Sequence, residues 1–436
     1  FEDEKKTSTY RETWEAARRI GSALAGMSEA RRPIPVLGEK SVETVQTFFG
    51  IVNAGCFYIL LDPKQPVSRL QQILKTLDAT LLVVMSEDHR KTADALGFEG
   101  KIVYYEQMKD SEEDGDVLDV IRANAADVDP LYVNFTSGST GIPKGVVVSH
   151  RSVIDFMEYF PELFEITEED VIGNQAPFDF DVSVKDIYAT LKTGATMVMI
   201  PKQYFSFPTK LLDYLCERNV TTLIWAVSAV CIISTLKGFD YKVPEKINKV
   251  LFSGEVMPIK HLNIWRKYLP KAQFVNLYGP TEITCNCTYY KIDREFQKGD
   301  VLPIGVPFPN EKVFLLDEEE ELVQEANKKG ELCVAGTALA LGYYQAPEQT
   351  RRVFVQNPLN PYYPETIYRT GDLAYYNETG ELCYASRKDF QIKHMGHRIE
   401  LGEIESAMDQ VDAIVRACCI FHEEKKRILA FYGKVC

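Results

Sequence analysis

Short apolar runs alternate with helix-periodic stretches through the first 300 residues, and this alternation limits the chain to few architectures. The runs 34–37, 81–85, 146–148, 197–200 and 222–225 lack a polar face, as strands buried on both sides do. Between such runs, 10–24, 42–54 and 67–77 repeat apolar residues at helical spacing. The pattern predicts an α/β fold with largely parallel sheets, because parallel strands are joined through crossover helices. Past residue 300 the segments shorten and are parted by Gly, Pro and Asn turns, as at 303–307, 327–330 and 377–380. That texture predicts a small barrel or an extra sheet. The acidic runs 111–116 and 318–321 read as solvated loops. A chain of 436 residues allows about two to four packing units, and no repeat at solenoid periods is present.

Hydrophobic residues make up 45% and charged residues 26% of the chain, the balance of a folded, water-soluble protein. A net charge of -14 repels phosphate backbones and anionic lipid, so neither nucleic acid nor membrane is expected as a partner. A bound nucleotide remains compatible, because a nest of backbone N–H groups and a lysine outweighs the mean field locally. Ten cysteines are scattered without a framework or zinc spacing, which predicts buried free thiols in a reducing cytoplasm. No apolar run approaches the roughly 18 residues of a bilayer span. The chain starts without Met and ends just after an apolar run at 428–432, which reads as a piece of a longer protein.

Chemistry concentrates at 132–150. An apolar strand runs into Thr136-Ser-Gly-Ser-Thr-Gly-Ile-Pro-Lys-Gly145, and a second apolar strand follows. Seven of these ten loop residues are Gly, Ser or Thr. Backbone N–H groups and hydroxyls therefore approach an anion closely, and Lys144 adds a mobile positive charge. The loop reads as a phosphate cradle. It is not a Walker A loop, because its spacing differs and Gly145 stands where that motif needs a magnesium-binding hydroxyl.

The same loop resembles the signature loop of the adenylate-forming ligases. Six further stretches resemble core motifs of the amino-acid adenylation domains of this superfamily, in family order. They are Tyr10-Arg-Glu12, 53–63, Asn276-Leu-Tyr-Gly-Pro-Thr-Glu282, 330–336, Tyr368-Arg-Thr-Gly-Asp372 and 387–403. The resemblance, to the nonribosomal peptide synthetase and D-alanine-carrier protein ligase type, covers nearly the whole chain. Within it, 174–188, 253–258 and 389–393 are most similar to the D-alanine-carrier ligases. It implies two parallel-type α/β subdomains and a small β-barrel-like subdomain over 1–388. A truncated small α+β C-terminal domain over 389–436 follows.

The resemblance also implies a reaction: ATP and Mg²⁺ activate an amino acid as its adenylate, which passes to the phosphopantetheine thiol of a carrier protein. Thr136, Ser137, Gly138, Ser139, Thr140, Gly141 and Lys144 then grip the ATP phosphates. Glu282 holds the metal, and Thr281 contacts the reacting carboxylate or the α-phosphate. Tyr278 stacks on adenine, Gly254 and Glu255 line the base, Asp372 accepts from the ribose hydroxyls, and Arg387 lies near the ribose. Asp181 pairs with the substrate α-ammonium in preference to Asp179, and this pairing separates amino-acid from fatty-acid, aryl-acid or luciferin activation. Val182, Lys185, Ile224, Leu251, Ser253, Leu277, Cys285 and Asn286 line the side-chain pocket, which suits a small or polar substrate. Lys185, four residues after Asp181, either meets a side-chain carboxylate on the same helix face or extends to water as exposed lysines do.

A hinge at Asp389 turns the C-terminal domain and brings Lys393 and Gly396 toward the thiol tunnel. His394-Met-Gly-His397 falls inside this hinge motif and is assigned no metal. The adenylation lysine that the family carries near its C-terminus is absent from the sequence. A free-standing ligase, a monomer or a part of a larger synthetase all agree with this reading. The alternatives are an acyl-CoA ligase of the same superfamily, which Asp181 disfavours, and a non-catalytic nucleotide-binding relative.

Overall fold

The computed structural model describes residues 1–137, 143–388, 391–394, 397–409, 411, 413–422 and 427–434. Two seven-stranded mixed sheets form the body. In the first, Phe57–Leu61, Pro33–Leu37, Leu81–Val84 and Lys101–Tyr104 run parallel, with Pro130–Thr136 parallel beside Phe57–Leu61. Lys144–Ser149 and Gly342–Tyr343 close that edge in antiparallel pairing. In the second, Thr196–Met199, Val171–Asn174, Thr222–Ala226, Lys249–Ser253 and Gln273–Tyr278 are parallel. Thr288–Lys291 and Val306–Pro307 complete its antiparallel edge.

Helices fill both faces of each sheet. Between the sheets, Val42–Asn53, His150–Leu163 and Val182–Thr193 contribute Phe48, Phe156, Phe160, Val184 and Ile187 to one core. That core also takes Val36, Tyr58 and Tyr132 from the first sheet and Ile224, Leu251 and Val275 from the second. The intervening residues Leu223, Trp225, Val250 and Phe252 point to the opposite face and join another core with helices Pro208–Glu217, Val227–Thr235 and Ile259–Tyr268. Alternate residues thus serve two cores, which is why these strands read as unbroken apolar runs.

The β-rich texture past residue 300 corresponds to a five-stranded antiparallel sheet of Glu311–Leu316, Gly330–Gly336, Thr366–Tyr376, Phe354–Gln356 and Leu382–Arg387. Its core includes Tyr278 from the second sheet and Ile283 and Cys287 from the connection that follows that strand, so the two are packed together. Beyond it, Gln391–His394 pairs with His397–Glu400, and Ile414–His422 pairs with Arg427–Lys434; among the described residues neither pair of strands joins the three larger sheets. Two sequence expectations need correction. The acidic run 111–116 is not all loop: Asp114 accepts from Val117 N–H at 3.1 Å and caps the helix Gly115–Ala123, and carboxylates favour such N-termini. The cysteines are free thiols among the described residues, but Cys418 is exposed rather than buried.

Candidate functional site

Period-two alternation puts Tyr132, Asn134 and Thr136 on one face of the strand Pro130–Thr136. Asn134 is the polar residue in an apolar run, and its amide oxygen accepts from the backbone N–H of Asp181 at 2.9 Å. Thr136 carries a buried hydroxyl with no partner among the described residues. A buried donor without an acceptor is costly, and this one stands where the loop begins. Gly138, Ser139, Thr140 and Gly141 lie outside the described residues; the ends of the loop are fixed by pairing of Thr136 with Lys144 across the hairpin.

Lys144 extends to Glu282, 3.6 Å away. Between them stands Tyr343, whose hydroxyl donates to Glu282 Oε1 at 2.7 Å and accepts from Lys144 Nζ at 3.2 Å. Glu282 is fully buried, and it is held by a hydroxyl and an ammonium as a buried carboxylate requires. It follows the strand Gln273–Tyr278 through a tight return of the chain. A Cβ on Gly279 would come within 2.5 Å of Asn286 Cα, and Thr284 and Cys285 are both left-handed, with φ of 53° and 75°. Consecutive left-handed residues without glycine store strain, and here they fold 278–286 around one point.

Asp181 sits at the N-terminus of the helix Val182–Thr193 and is held from three elements. Asn134 takes its N–H, the Cys285 thiol donates to its carbonyl at 3.0 Å, and the Thr281 hydroxyl bonds its carboxylate. Burial pushes the Asp181 carboxyl up, opposed by the Thr281 hydrogen bond and the field of Lys185. Asp179 faces elsewhere: it accepts from Gln65 Nε2 at 2.8 Å, and burial together with Asp62 pushes its carboxyl up to about 6.

Lys185 does not extend to water. It is fully buried, and its ammonium donates to Asn286 Oδ1 at 2.6 Å and to Ser253 Oγ at 3.4 Å. The helix packs against the C-terminal ends of the second sheet's strands, whose buried residues Ile224, Leu251, Ser253 and Leu277 face it; Val182 is half-buried in the first helical turn. Ligands of open parallel sheets bind at such strand ends.

On the other side of the same strand ends, Asp372 is fully buried. It accepts from the Tyr278 hydroxyl at 2.5 Å and pairs with Arg387 at 2.8 Å. Arg387 is its register partner on the neighbouring strand. Gly254 leaves the adjacent strand with φ of 94° and nothing within 4 Å of where its Cβ would be, which leaves room for a flat ring; half-buried Glu255 follows. Asp389 and Gly396 lie outside the described residues, and of Lys393 the backbone alone is described, in the strand Gln391–His394.

Tyr343 and Asn134 are the two members of this site that sequence reasoning did not select. Asn134 carried a signal, a polar residue inside an apolar run; Tyr343 carried none. Surface hollows of about 390 and 250 Å³ lie elsewhere, beside Val117 and Ile121 and beside Arg294 and Tyr375, and neither gathers the groups named here.

A family model described as AMP-binding enzyme matches residues 1–344. The chain is 32% identical over 439 residues to tyrocidine synthase 3 of Brevibacillus parabrevis, covering 99% of this chain and 6% of that protein, so it spans only a small part of that synthase. To zwittermicin A synthase ZmaJ of Bacillus cereus it is 32% identical over 439 residues, covering 98% of this chain and 81% of that one. Its fold superposes on holo-PA1221, a nonribosomal peptide synthetase protein containing adenylation and PCP domains, with a TM-score of 0.85 at 23% identity, over 99% of this chain and 73% of that one. A buried carboxylate beside a phosphate-type loop, a cluster of buried polar side chains at the strand ends and a match over most of the length agree: the chain belongs to the AMP-binding enzyme family and is an AMP-forming ligase.

Proposed function

We propose that the chain activates an amino acid as its aminoacyl-adenylate and passes it to the phosphopantetheine thiol of a carrier protein. The observation that carries this reading is the half-buried Asp181 carboxylate, bonded to Thr281 one residue before the buried Glu282. An α-ammonium paired with Asp181 sets the substrate carboxylate beside Thr281, oriented for attack. A carboxylate oxygen then bonds the α-phosphorus of ATP, the bridging P–O bond breaks, and pyrophosphate leaves with the electron pair. Lys144, Thr136, Ser137 and the loop to 145 neutralise the leaving phosphates. Asp372 receives the ribose hydroxyls beside Arg387, and Tyr278, Gly254 and Glu255 receive the base.

The residues fit a magnesium ion: buried Glu282 offers a carboxylate beside Lys144 at the end of the phosphate loop, and it would hold the ion together with the phosphates of the nucleotide. When bound, the ion neutralises charge on the phosphates. In the second half-reaction the boundary at 388/389 acts as the hinge, with Asp389 turning and Lys393 meeting the thiol side. No helix among the described residues is long and apolar enough to cross a membrane, and we place the chain in the cytoplasm, where the exposed Cys418 stays reduced.

The test is a pyrophosphate-exchange screen with the L-amino acids, D-alanine and amine-free carboxylic acids. Exchange dependent on an amino acid is expected. Exchange with amine-free acids alone would refute the reading in favour of an acyl-CoA ligase.

A further inference from the structure

Among the described residues Lys185 is the one fully buried lysine, and it lacks the partner that a buried cation ordinarily has. Its two hydrogen bonds go to neutral acceptors, Asn286 Oδ1 and Ser253 Oγ, and no carboxylate among the described residues forms an ion pair with it. Asp181 and Asp186 act on it only through their fields. Asp181 is engaged by Thr281. Asp186, the next residue along the helix, points about 100° away; it accepts from Asn174 Nδ2 at 2.5 Å, and Asn174 in turn accepts from Lys40. A buried charge without a counter-charge is expensive, and proteins discard such groups unless a partner arrives.

The neutral neighbours are also incomplete. Ser253 accepts from Lys185 and keeps its own proton to donate. Asn286 gives its oxygen to Lys185 and keeps its amide N–H groups. Three donors therefore converge at one place, one helical turn beyond Asp181 and on the same helix face, between the apolar side chains of Ile224, Leu251 and Leu277. An amino acid anchored at Asp181 directs its side chain there.

Resting on the adenylation reading, we infer that the substrate is an amino acid whose side chain ends in a carboxylate, received by Lys185, Ser253 and Asn286. An apolar side chain leaves the Lys185 charge without a counter-charge and the spare protons of Ser253 and Asn286 without an acceptor. Sites built to hydrogen-bond a substrate group reject the analogue that lacks it by on the order of 10⁴.

The experiment is pyrophosphate exchange by the whole chain with aspartate, glutamate, asparagine, glutamine, leucine, methionine and succinate, repeated with Lys185→Met. Aspartate or glutamate is expected to exceed leucine and methionine by at least about 10³-fold. The Lys185→Met variant is expected to reverse that order while its displacement of a fluorescent nucleotide stays unchanged. Wild-type preference for an apolar amino acid or for an amide overturns the inference and leaves the adenylation reading standing. Exchange with succinate but with no amino acid overturns both. If the variant fails to fold, as judged by circular dichroism, the wild-type order alone decides.

Discussion

An amide at position 181 keeps the outline of the carboxylate and removes its charge. Asp181→Asn is therefore expected to bind ATP normally while its affinity for the amino acid falls by roughly 1.5 to 3 kcal/mol, the worth of a charge-assisted hydrogen bond. Calorimetry with each ligand separately measures both, and unchanged amino-acid affinity removes the role given to Asp181. Tyr343→Phe tests the neighbouring carboxylate. It deletes the 2.7 Å bond to buried Glu282 and leaves Lys144 to hold that charge from 3.6 Å. Exchange is expected to fall about tenfold or more, on the scale of one lost charged hydrogen bond, with nucleotide affinity nearly unchanged; wild-type turnover contradicts it. These residues differ in legibility for a physical reason. Asp181, Thr281 and Glu282 stand inside motifs whose spacing survives in the sequence. Tyr343 reaches Glu282 across 61 residues, and no local pattern encodes such a contact. For Lys185 the helical spacing gave the face but not the depth; depth comes from the second sheet packing over it.

At the scale of elements, the helices predicted at 10–24, 42–54 and 67–77 appear as Tyr10–Ala25, Val42–Asn53 and Val67–Leu77, because each carries an amphipathic period and two begin at a capping Thr or Ser. The strands were legible as apolar runs, but their order was not: the first sheet places Phe57–Leu61 between Pro33–Leu37 and Pro130–Thr136, a choice made by tertiary packing. One joint between elements titrates. Glu311 opens a strand of the third sheet and accepts from Ala338 N–H at 2.8 Å, while its other oxygen is buried with no partner among the described residues. Burial, with a lesser contribution from Asp155 on the helix His150–Leu163, pushes its carboxyl from about 4.5 up to about 8. The folded protein therefore holds the proton more tightly than the unfolded chain. The stability this confers is complete below about pH 4.5 and is lost as pH rises through about 8. Glu311→Gln stays neutral throughout, so the melting temperature of the variant relative to the wild type is expected to rise between pH 5 and pH 9. A difference independent of pH places the ionisation elsewhere.

Across the whole molecule, the site belongs to no single sheet. Asn134, Thr136 and Lys144 come from the first. The second supplies Ser253 and Tyr278 from its strands, with Glu282 in the turn after Tyr278 and Asp181 at the helix that covers them. Asp372 and Arg387 come from the third. The hydrogen bonds from Asp181 to Asn134 and from Tyr278 to Asp372 already cross these boundaries. A ligand that spans the amino-acid pocket, the phosphate loop and the ribose site must bind all three sheets at once, and whatever binds only the folded state stabilises it by mass action, by about 2.7 kcal/mol at a hundred times its dissociation constant. A non-hydrolysable aminoacyl-adenylate analogue is thus expected to slow amide exchange together in Pro130–Thr136, Gln273–Tyr278 and Thr366–Tyr376. ATP alone, whose phosphates face Thr136 and Lys144 and whose base faces Tyr278, is expected to protect the same three strands and to leave the helix at Asp181 unchanged, because it does not enter the amino-acid side. Protection by the analogue confined to one sheet would mean that the amino-acid and nucleotide sites are not joined, and the adenylate could not be the bound product.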